Sequence, residues 1–334
     1  MENISVEELS RKLEGDRTVI IQEVTTQKQR QWVFQGERLK EVKERGASQA
    51  DFSNAQDVIF VCEEMKQCEE QARKMRDNVN VGYLAGGFIA WGQFYHPVMV
   101  GFDEGIKVWQ IHRLAKGCLS YLICSGQDCI VIDPCYHIDY YLGLAHSQRG
   151  DIKCVIDTKI HTDHVSGAAR LSAKTSSPYY VPSHMELQGK SQPLEQQSVI
   201  SVNQAKLEVI PLSDSSQPQD QSVGLLLNNQ YLFVGDTPLD VVRQKMAARK
   251  HNQSNQTLLV LPAHLKTLGR VNQHGIVAAA IDFQNANETV QQEQMISVSQ
   301  PEAKENDILK VNLSQEVIDL DTANQLEMGL DHTP

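Results

Sequence analysis

A cluster of metal-binding side chains stands directly after a short apolar run. Residues 157–167 read Asp-Thr-Lys-Ile-His-Thr-Asp-His-Val-Ser-Gly, and they follow the apolar residues Cys154–Ile156. An apolar run of this kind predicts a buried strand, so the cluster is expected in a loop at a strand end. Two imidazoles and a carboxylate so close together can converge on one cation, because these donors suit Zn, Mn or Fe. The sequence therefore predicts a metal loop at His161, Asp163 and His164; the alternative is a polar loop that carries these residues by chance.

This loop resembles the His-x-His-x-Asp-His motif of the metallo-β-lactamase superfamily. The motif positions fall on Lys159, His161, Asp163 and His164, so a lysine stands in place of the first histidine. In the family, the histidines separated by one residue hold metal site one, and the following Asp and His serve site two. An ammonium group has no lone pair at neutral pH and repels a cation. The resemblance therefore implies a metal loop whose first site is incomplete.

Other segments carry the same resemblance, in the order that the family shows. Gly117–Tyr121 resembles part of the opening strand pair, Ile132–Pro134 the Ile-Asp-Pro loop, and residues 137–146 the helix before the metal loop. Tyr231–Thr237 resembles the strand that ends in Gly-Asp, and Leu258–His264 resembles the last ligand strand, which ends in Pro-x-His. The resemblance implies an αββα sandwich, a fold of the α+β class.

The resemblance also implies the site residues. Asp163, His164, Asp236 and His264 would form metal site two, and His161 is the survivor of site one. Asp163 is in addition the implied catalytic residue. The implied metal is zinc or iron, held by an incomplete ligand set.

A second histidine of site one is missing. After the strand-like run Leu207–Ile210 the family has a Pro-Gly-His-Thr-x-Gly segment, whereas residues 211–222 contain no histidine. Ser215 lies near the expected position, and a neutral hydroxyl is a poor ligand for a transition metal. Asp133 is expected to support the metal loop, as the corresponding aspartate does in the family; the alternative is simple turn chemistry at a strand end.

The N-terminal part of the chain alternates between strand and helix patterns. Strand-like runs stand at Thr18–Ile21, Val58–Val61 and Val79–Leu84, and helical patterns at Ser5–Leu13 and Cys68–Met75. Alternation of this kind predicts a small α/β domain. Its closing segment, which reads Gly-Tyr-Leu-Ala-Gly-Gly-Phe-Ile-Ala-Trp, resembles the Leu-x-Gly-Gly-x-x-x-Trp end of a rhodanese domain.

The rhodanese resemblance places Cys62 at the position of the sulfur-carrying cysteine. In an active rhodanese, a glycine and an arginine of the Cys-x-x-Gly-x-Arg loop complete the cradle for an anionic sulfur donor. Here Met65 and Gln67 stand at those positions, and Glu63 and Glu64 add two carboxylates beside the sulfur. Because negative charges disfavour a thiolate and repel thiosulfate, we expect Cys62 to be a buried cysteine rather than a sulfur carrier.

Length and charge restrict the domain plan and the partners. A chain of 334 residues suggests about two domains, predicted at 1–98 and 106–334 with residues 96–105 as a linker. The alanine-rich residues 276–285 predict a helix.

The net charge of −11 argues against nucleic-acid binding, which needs clustered Lys and Arg. No apolar run of about 18 residues and no leader is present, so we expect no membrane partner, a cytoplasmic location and seven reduced cysteines.

The pairing with a rhodanese-like domain implies a function in sulfur metabolism. We expect a metallo-β-lactamase-fold protein of this rhodanese-linked type, with an incomplete metal site and degenerate catalysis. The alternative is a mononuclear metal-dependent hydrolase or persulfide dioxygenase that acts on a small thiol or sulfur-containing substrate. If Lys159 replaces a ligand, its ammonium should lie close to His161 and Asp236 and neutralise a carboxylate. The sequence specifies no oligomeric state.

Overall fold

The computed structural model describes residues 2–24, 39–43, 52, 55–62, 65–73, 80–183, 189–212, 223–249, 257–264, 278–281, 310–312, 314 and 318–328. The chain divides into two compact units. The first contains Met1–His96, Arg113–Lys116 and Asn324–Pro334, and the second contains Pro97–His112 and Gly117–Ala323. The predicted domain bounds differ from these units, because Arg113–Lys116 and the C-terminal residues group with the first unit. None of the described helices is long and apolar enough to cross a membrane.

A five-stranded parallel sheet forms the centre of the first unit. Its strands are β1 (Glu2–Ile4), β2 (Val19–Val24), β3 (Leu39–Lys43), β4 (Asp57–Cys62) and β5 (Asn80–Leu84), in the order β1-β5-β4-β2-β3. The helices are α1 (Val6–Glu14), α2 (Met65–Ala72) and α3 (Gly87–Gly92). The predicted alternation of strands and helices is confirmed.

The side chains of β2 alternate between the two faces of this sheet. Val19 and Ile21 pack in one cluster with Leu9 of α1 and Trp91 of α3, whereas Ile20 packs in another cluster with residues of α2. Strands covered by helices on both faces bury nearly every side chain, which explains the continuous apolar runs in the sequence.

The double glycine that closes the first unit is required by a close backbone contact. Gly87 has a positive φ of 55°, and a Cβ there would fall on the carbonyl oxygen of Cys62. Glycine adopts this conformation without strain, so the pattern brings the start of α3 against the end of β4. Trp91, the last residue of the pattern, is fully buried.

The expectation that all seven cysteines are reduced is wrong for two pairs. Cys62 at the end of β4 is disulfide-bonded to Cys68 in α2, with Cα atoms 5.8 Å apart. Cys124 and Cys129 face each other on two antiparallel strands of the second unit and form the other disulfide. Neither pair has C-x-x-C spacing. The fold, and not a local motif, brings their sulfur atoms together. Three further cysteines are buried thiols: Cys118, Cys135 and Cys154.

Two sheets build the second unit. The first sheet contains β6 (His96–Asp103), β7 (Ile106–Arg113), β8 (Cys118–Ser125), β9 (Asp128–Ile132), β10 (Asp151–Ile156), β11 (Tyr179–Pro182) and β12 (Gln192–Leu194). The second sheet contains β13 (Val199–Val202), β14 (Ala205–Pro211), β15 (Val223–Leu227), β16 (Tyr231–Phe233), β17 (Leu258–Leu261) and β18 (Ala279–Ile281). In both sheets the strands lie side by side in chain order. The helices are α4 (Ile138–Ser147), α5 (Ala168–Thr175) and α6 (Leu239–Ala248).

The two sheets enclose one apolar core. Alternate residues of the second sheet, such as Leu207, Val209 and Leu225, meet residues of the first sheet such as Ile130 in this core. The residues between them, such as Leu226, pack in a separate cluster with α6 on the other face. Helices α4 and α5 contact strands of the first sheet. The order is helix, sheet, sheet, helix, so the predicted αββα sandwich of the α+β class is confirmed.

Two predicted elements differ from the structure. The predicted linker, residues 96–105, contains β6, which is the edge strand of the first sheet. Proline has no backbone N–H to donate. Pro97 is nevertheless compatible with an edge strand, because some backbone positions of such a strand make no ladder hydrogen bond. The predicted alanine-rich helix is wrong for Ala279–Ile281, which pair with β17 as β18. In both segments, pairing with a neighbouring strand overrides the local preference.

A buried arginine holds the end of the C-terminal helix in the first unit. Helix α7 comprises Leu320–Met328, and its Glu327 forms an ion pair with Arg113 at the end of β7. Both side chains are buried, and Arg113 Nε donates to Gly92 O at 2.7 Å. The guanidinium carbon lies 5.9 Å from the centre of the Tyr95 ring. Buried charges require such partners, so this pair fixes the end of α7 to the first unit.

Candidate metal centre

The predicted metal loop joins β10 to α5, so the predicted order of strand, loop and helix is confirmed. Asn312, from the C-terminal part of the second unit, holds the middle of this loop. Its Nδ2 donates to the carbonyl oxygens of His161 and His164 at 2.8 and 3.0 Å. Its Oδ1 accepts from Ser166 N–H at 2.9 Å. These bonds satisfy the backbone of the loop and leave its side chains available for the pocket.

Asp133 supports the start of the loop, as predicted. Its carboxylate accepts hydrogen bonds from Thr158 N–H at 2.7 Å and from Thr158 Oγ1 at 2.8 Å. The same carboxylate lies 3.3 Å from His161 Nε2. Because Asp133 is buried, these partners offset the loss of its hydration and fix the loop to the end of β9.

The second sheet delivers Asp236 and His264 to the same place. The two residues follow the neighbouring parallel strands β16 and β17, so both leave the sheet at one edge. Ala263 N–H donates to Gly235 O at 2.8 Å and keeps the two strand ends together. As a result, His264 Nδ1 lies 2.5 Å from Asp236 Oδ1.

Cys118, which the sequence did not single out as a ligand, reaches the same pocket. It stands at the start of β8 and forms a backbone bridge with His264. Its thiol donates to Asp163 Oδ2 at 3.4 Å and lies 3.3 Å from His164 Nδ1. The sequence does not indicate this contact, because a cysteine at the start of an apolar strand is typical of a core residue. Asp163 and His164 lie 45 and 46 residues further along the chain.

Four donor side chains therefore converge. One ligand atom from each lies within 4.8 Å of the others, and the residues are Cys118, Asp163, His164 and His264. His264 Nε2 lies 2.8 Å from Asp163 Oδ2. Three of the predicted ligands are thus brought together, with a thiol as the fourth member.

The other two predicted ligands lie beside this group. Asp236 is linked to it through His264. His161 belongs to a second, buried group with Asp133 and Asp157, and its Nε2 faces Asp133. The structure therefore separates the predicted ligands into a converging group and its neighbours.

Lys159 contacts Asp236, as predicted for a lysine at a ligand position. Its ammonium pairs with Asp236 Oδ2, and the two side chains are 27% and 37% exposed. Asp236 contacts His264 and His264 contacts Asp163, so a continuous chain of opposite charges crosses the pocket. Ser215, near the expected position of a missing histidine, lies outside the described residues.

The pKa values reflect this chain of charges. Burial favours a neutral imidazole, but the hydrogen bonds and charges of Asp163 and Asp236 raise the pKa of His264 to about 9. In spite of burial, His164 and His264 hold the pKa of Asp163 well below its usual range, and His264 and Lys159 lower that of Asp236. Two carboxylates are thus balanced by an ammonium and an imidazolium of the protein itself.

The donor set fits a transition-metal ion. Sulfur, two imidazoles and a carboxylate are the ligands that zinc takes in four-coordinate sites. Next to this group, His161 Nδ1 is buried and has no hydrogen-bond partner among the described residues. Buried polar atoms are rarely left in this way, so His161 adds an unused nitrogen beside the four donors.

Comparison with known proteins agrees with this geometry. The family model of the metallo-beta-lactamase superfamily matches residues 114–238, which include the metal loop, Asp133 and Asp236. This part of the chain is similar to the metallo-beta-lactamase superfamily. The second unit contains most of the matched residues and has the predicted sandwich fold, and we call it the metallo-β-lactamase domain.

Several solved structures are similar to the chain. A metallo-beta-lactamase from Staphylococcus aureus subsp. aureus COL is 16% identical with a TM-score of 0.49, covering 64% of this chain and 75% of its own. ETHE1 from Myxococcus xanthus is 14% identical with a TM-score of 0.41, covering 70% and 95%. The apo chemotaxis sensor ODP from T. denticola is 18% identical with a TM-score of 0.38, covering 51% and 87%. No curated protein matches the sequence. At these identities, the chemistry of the metallo-β-lactamase domain has to be argued from its own residues.

Proposed function

We propose that the metallo-β-lactamase domain is a degenerate member of its superfamily, which keeps the fold and part of the metal pocket but has lost two-metal catalysis. It acts as a binding or regulatory unit in a protein of the rhodanese-linked, sulfur-metabolism type. The observation that carries this proposal is the ion pair between Lys159 and Asp236. The lysine stands where the family motif has a histidine, and it engages a carboxylate that would otherwise face metal.

Electrostatics explain why this ion pair opposes a second metal ion. A divalent ion next to Asp236 would have to displace the ammonium of Lys159 or lie beside it, and like charges repel. The other oxygen of Asp236 is held by His264. On this side of the pocket only His161 retains a nitrogen from the first-site ligands of the motif.

The first unit supports the same proposal through Cys62. We assign this unit to the rhodanese-like class on its parallel sheet and on the contact between Gly87 and the carbonyl of Cys62. A cysteine bonded to Cys68 cannot carry sulfur as a persulfide, so both units would lack the chemistry of their families. Glu63 and Glu64 lie outside the described residues. The ligand that we propose is a small thiol or sulfur-containing compound, and the proposed location is the cytoplasm.

The variant Lys159→His tests the proposal. It restores a ligand and removes the internal counter-ion, so we expect tighter zinc binding and a metal-free protein that is less stable by on the order of 1 kcal/mol, given the partial exposure of the pair. Calorimetric zinc titration and thermal melts measure the two effects. Lys153→His is the matched control, because Lys153 lies on the strand that leads to the loop and its ammonium pairs with the exposed Asp151. A Lys159→His protein that binds zinc no better and melts no lower contradicts the proposal.

A second candidate function is favoured by the convergence of the four donors within 4.8 Å. In that case the domain is a mononuclear hydrolase, in which a bound metal ion would lower the pKa of a water molecule. A persulfide dioxygenase is less supported, because its iron positions correspond to Lys159, a position near Ser215 and Asp236, and of these residues only Asp236 has a side chain suited to binding iron.

Turnover assays separate the two functions. Zinc- or iron-loaded protein is incubated with a small thioester and, in parallel, with a persulfide under oxygen. The degenerate function predicts no turnover above that of metal in buffer. Turnover that is lost in Asp163→Asn would establish the enzyme and overturn the degenerate function.

A further inference from the structure

We propose that Cys118 is a metal ligand, so that the domain binds a single soft or borderline metal ion through one sulfur, two imidazoles and one carboxylate. The four ligands are Cys118, Asp163, His164 and His264. The inference rests on the part of the proposed function that retains a metal pocket, and it names the class of ion that the pocket takes.

The backbone holds Cys118 in place. Leu119 N–H donates to Ala263 O at 2.7 Å, and Cys118 forms a bridge pair with His264. A ligand from β8 is thereby coupled to a ligand that follows β17, although the two strands belong to different sheets. Cys118 is 1% exposed, so its thiol is presented to the pocket and not to solvent.

The separations within the group match a tetrahedral ion. Zinc bonds of about 2.0 to 2.3 Å place the ligand atoms of a tetrahedron roughly 3.3 to 3.6 Å apart. Cys118 Sγ lies 3.4 Å from Asp163 Oδ2 and 3.3 Å from His164 Nδ1. Asp163 Oδ2 and His264 Nε2 are closer, at 2.8 Å, and would have to move apart by about 0.5 Å to admit the ion. The sulfur already stands at the distances that coordination requires.

The surroundings of Cys118 differ from those of an ordinary buried cysteine. Cys154 is such a residue: it packs among the apolar side chains between the two sheets, and burial raises the pKa of its thiol to about 12. Cys118 instead contacts a carboxylate and an imidazole. The same chain thus contains a core cysteine that can serve as the control for a ligand cysteine.

The charge of the four ligands and the orientation of the His264 ring also fit a divalent metal ion. A thiolate and the carboxylate of Asp163 together balance a divalent ion, while Lys159 and Asp236 neutralise each other. Asp236 also holds Nδ1 of His264 and leaves its Nε2 facing the pocket, which is how carboxylates orient metal-binding histidines. Asp236 is therefore a positioning residue and not a ligand. A thiolate in the set selects zinc and similar ions over magnesium, calcium or manganese.

Cobalt(II) substitution tests the inference on the full-length chain. We expect one Co²⁺ per chain with a thiolate-to-cobalt charge-transfer band in the near ultraviolet, removed by added Zn²⁺. Cys118→Ser should lose the band and bind Co²⁺ at least about tenfold more weakly, since a hydroxyl is a poor ligand. Cys154→Ala should keep both the band and the affinity.

Each other outcome is decisive. Cobalt bound to the wild type without a thiolate band overturns the role of Cys118 and leaves the proposed function standing. Failure of the wild type to bind Co²⁺ or Zn²⁺ overturns the inference, whereas the proposed function is still decided by the melting behaviour of Lys159→His. If Cys118→Ser does not fold, zinc-edge X-ray absorption of the wild type decides: one sulfur at about 2.3 Å supports the inference, and only nitrogen and oxygen neighbours overturn it.

Discussion

The two sides of the pocket in the metallo-β-lactamase domain differ in what satisfies their polar groups. The donor side consists of Cys118, Asp163, His164 and His264, whose ligand atoms face one another. The supporting side consists of Asp133, Thr158, Lys159 and His161. Its charges are already paired within the protein, Asp133 with Thr158 and Lys159 with Asp236. One pocket therefore keeps a set of ligands on one side and replaces ligands by internal ion pairs on the other.

This comparison predicts two kinds of variant. Changes on the donor side should lower metal affinity. Removing a hydrogen-bonding side chain from the supporting side should alter stability to the same extent with and without metal, because hydrogen bonds and not coordination are lost. Lys159→His differs, because it adds a possible ligand.

The largest expected effect is a pH dependence next to the supporting side. Burial, together with the charge of Asp133, raises the pKa of Asp157 to about 7. In the unfolded chain this pKa is about 3.9, so the folded protein retains a proton between pH 4 and 7 that the unfolded chain loses. Stability therefore falls as the pH rises through this range, by up to about 4 kcal/mol.

Asp157→Asn should remove that dependence. The amide oxygen can still accept the hydrogen bonds from Ser166 and Tyr179. Urea unfolding at pH 5 and pH 8 should show that the variant gains stability over the wild type at the higher pH. A difference between the two proteins that is equal at both pH values would show that Asp157 does not titrate in this range.

Asp133→Ala should reduce the free energy of unfolding by about 3 kcal/mol, because it leaves Thr158 N–H and Oγ1 without their buried acceptor. The loss should be the same in the presence of zinc. Denaturant unfolding measures it, with Asp139→Ala on the exposed face of α4 as the control. A loss seen only with zinc would place Asp133 on the donor side.

Asp163→Asn should weaken zinc binding by about 100-fold, equivalent to about 2.7 kcal/mol, because the anionic ligand of the donor side is lost. Competition with a chelator of known affinity measures the change. Asp151→Asn is the control, since Asp151 is 79% exposed at the start of the strand that leads to the loop. Unchanged zinc affinity in Asp163→Asn would remove the donor side from consideration as a metal site.

Asn312→Ala should have the smallest effect, about 1 kcal/mol, because its three hydrogen bonds to the loop are only partly buried. Asn312→Asp is the graded comparison: it keeps the acceptor for Ser166 N–H and loses both donors. Thermal melts should rank the wild type above both variants. Melting temperatures that do not change would show that the loop holds its shape without this residue.

The parts of the fold with periodic or local signals could be predicted from the sequence. Buried runs such as Cys154–Ile156 predicted their strands, because strands covered on both faces need continuous apolar residues. The strand ends carrying Asp236 and His264 could also be placed, since each stands next to an apolar run. The contact between Lys159 and Asp236 followed from the motif position of the lysine.

Contacts between residues far apart in the chain could not be predicted. Cys118 reaches the pocket through a bridge to His264, and a single cysteine has no spacing that indicates a ligand. Asn312 holds the loop from 146 to 151 residues away. The pair of Arg113 and Glu327 likewise depends on the course of the chain, which local patterns do not encode.

The number of metal ions per chain tests the central claim most directly. The wild-type protein is purified without chelator, equilibrated with excess zinc, desalted and analysed for metal and for protein. The paired charges of Lys159 and Asp236 predict one zinc ion per chain, held by the donor side. Two tightly bound ions per chain would contradict the account, because the supporting side would then be a metal site and not an internal ion pair.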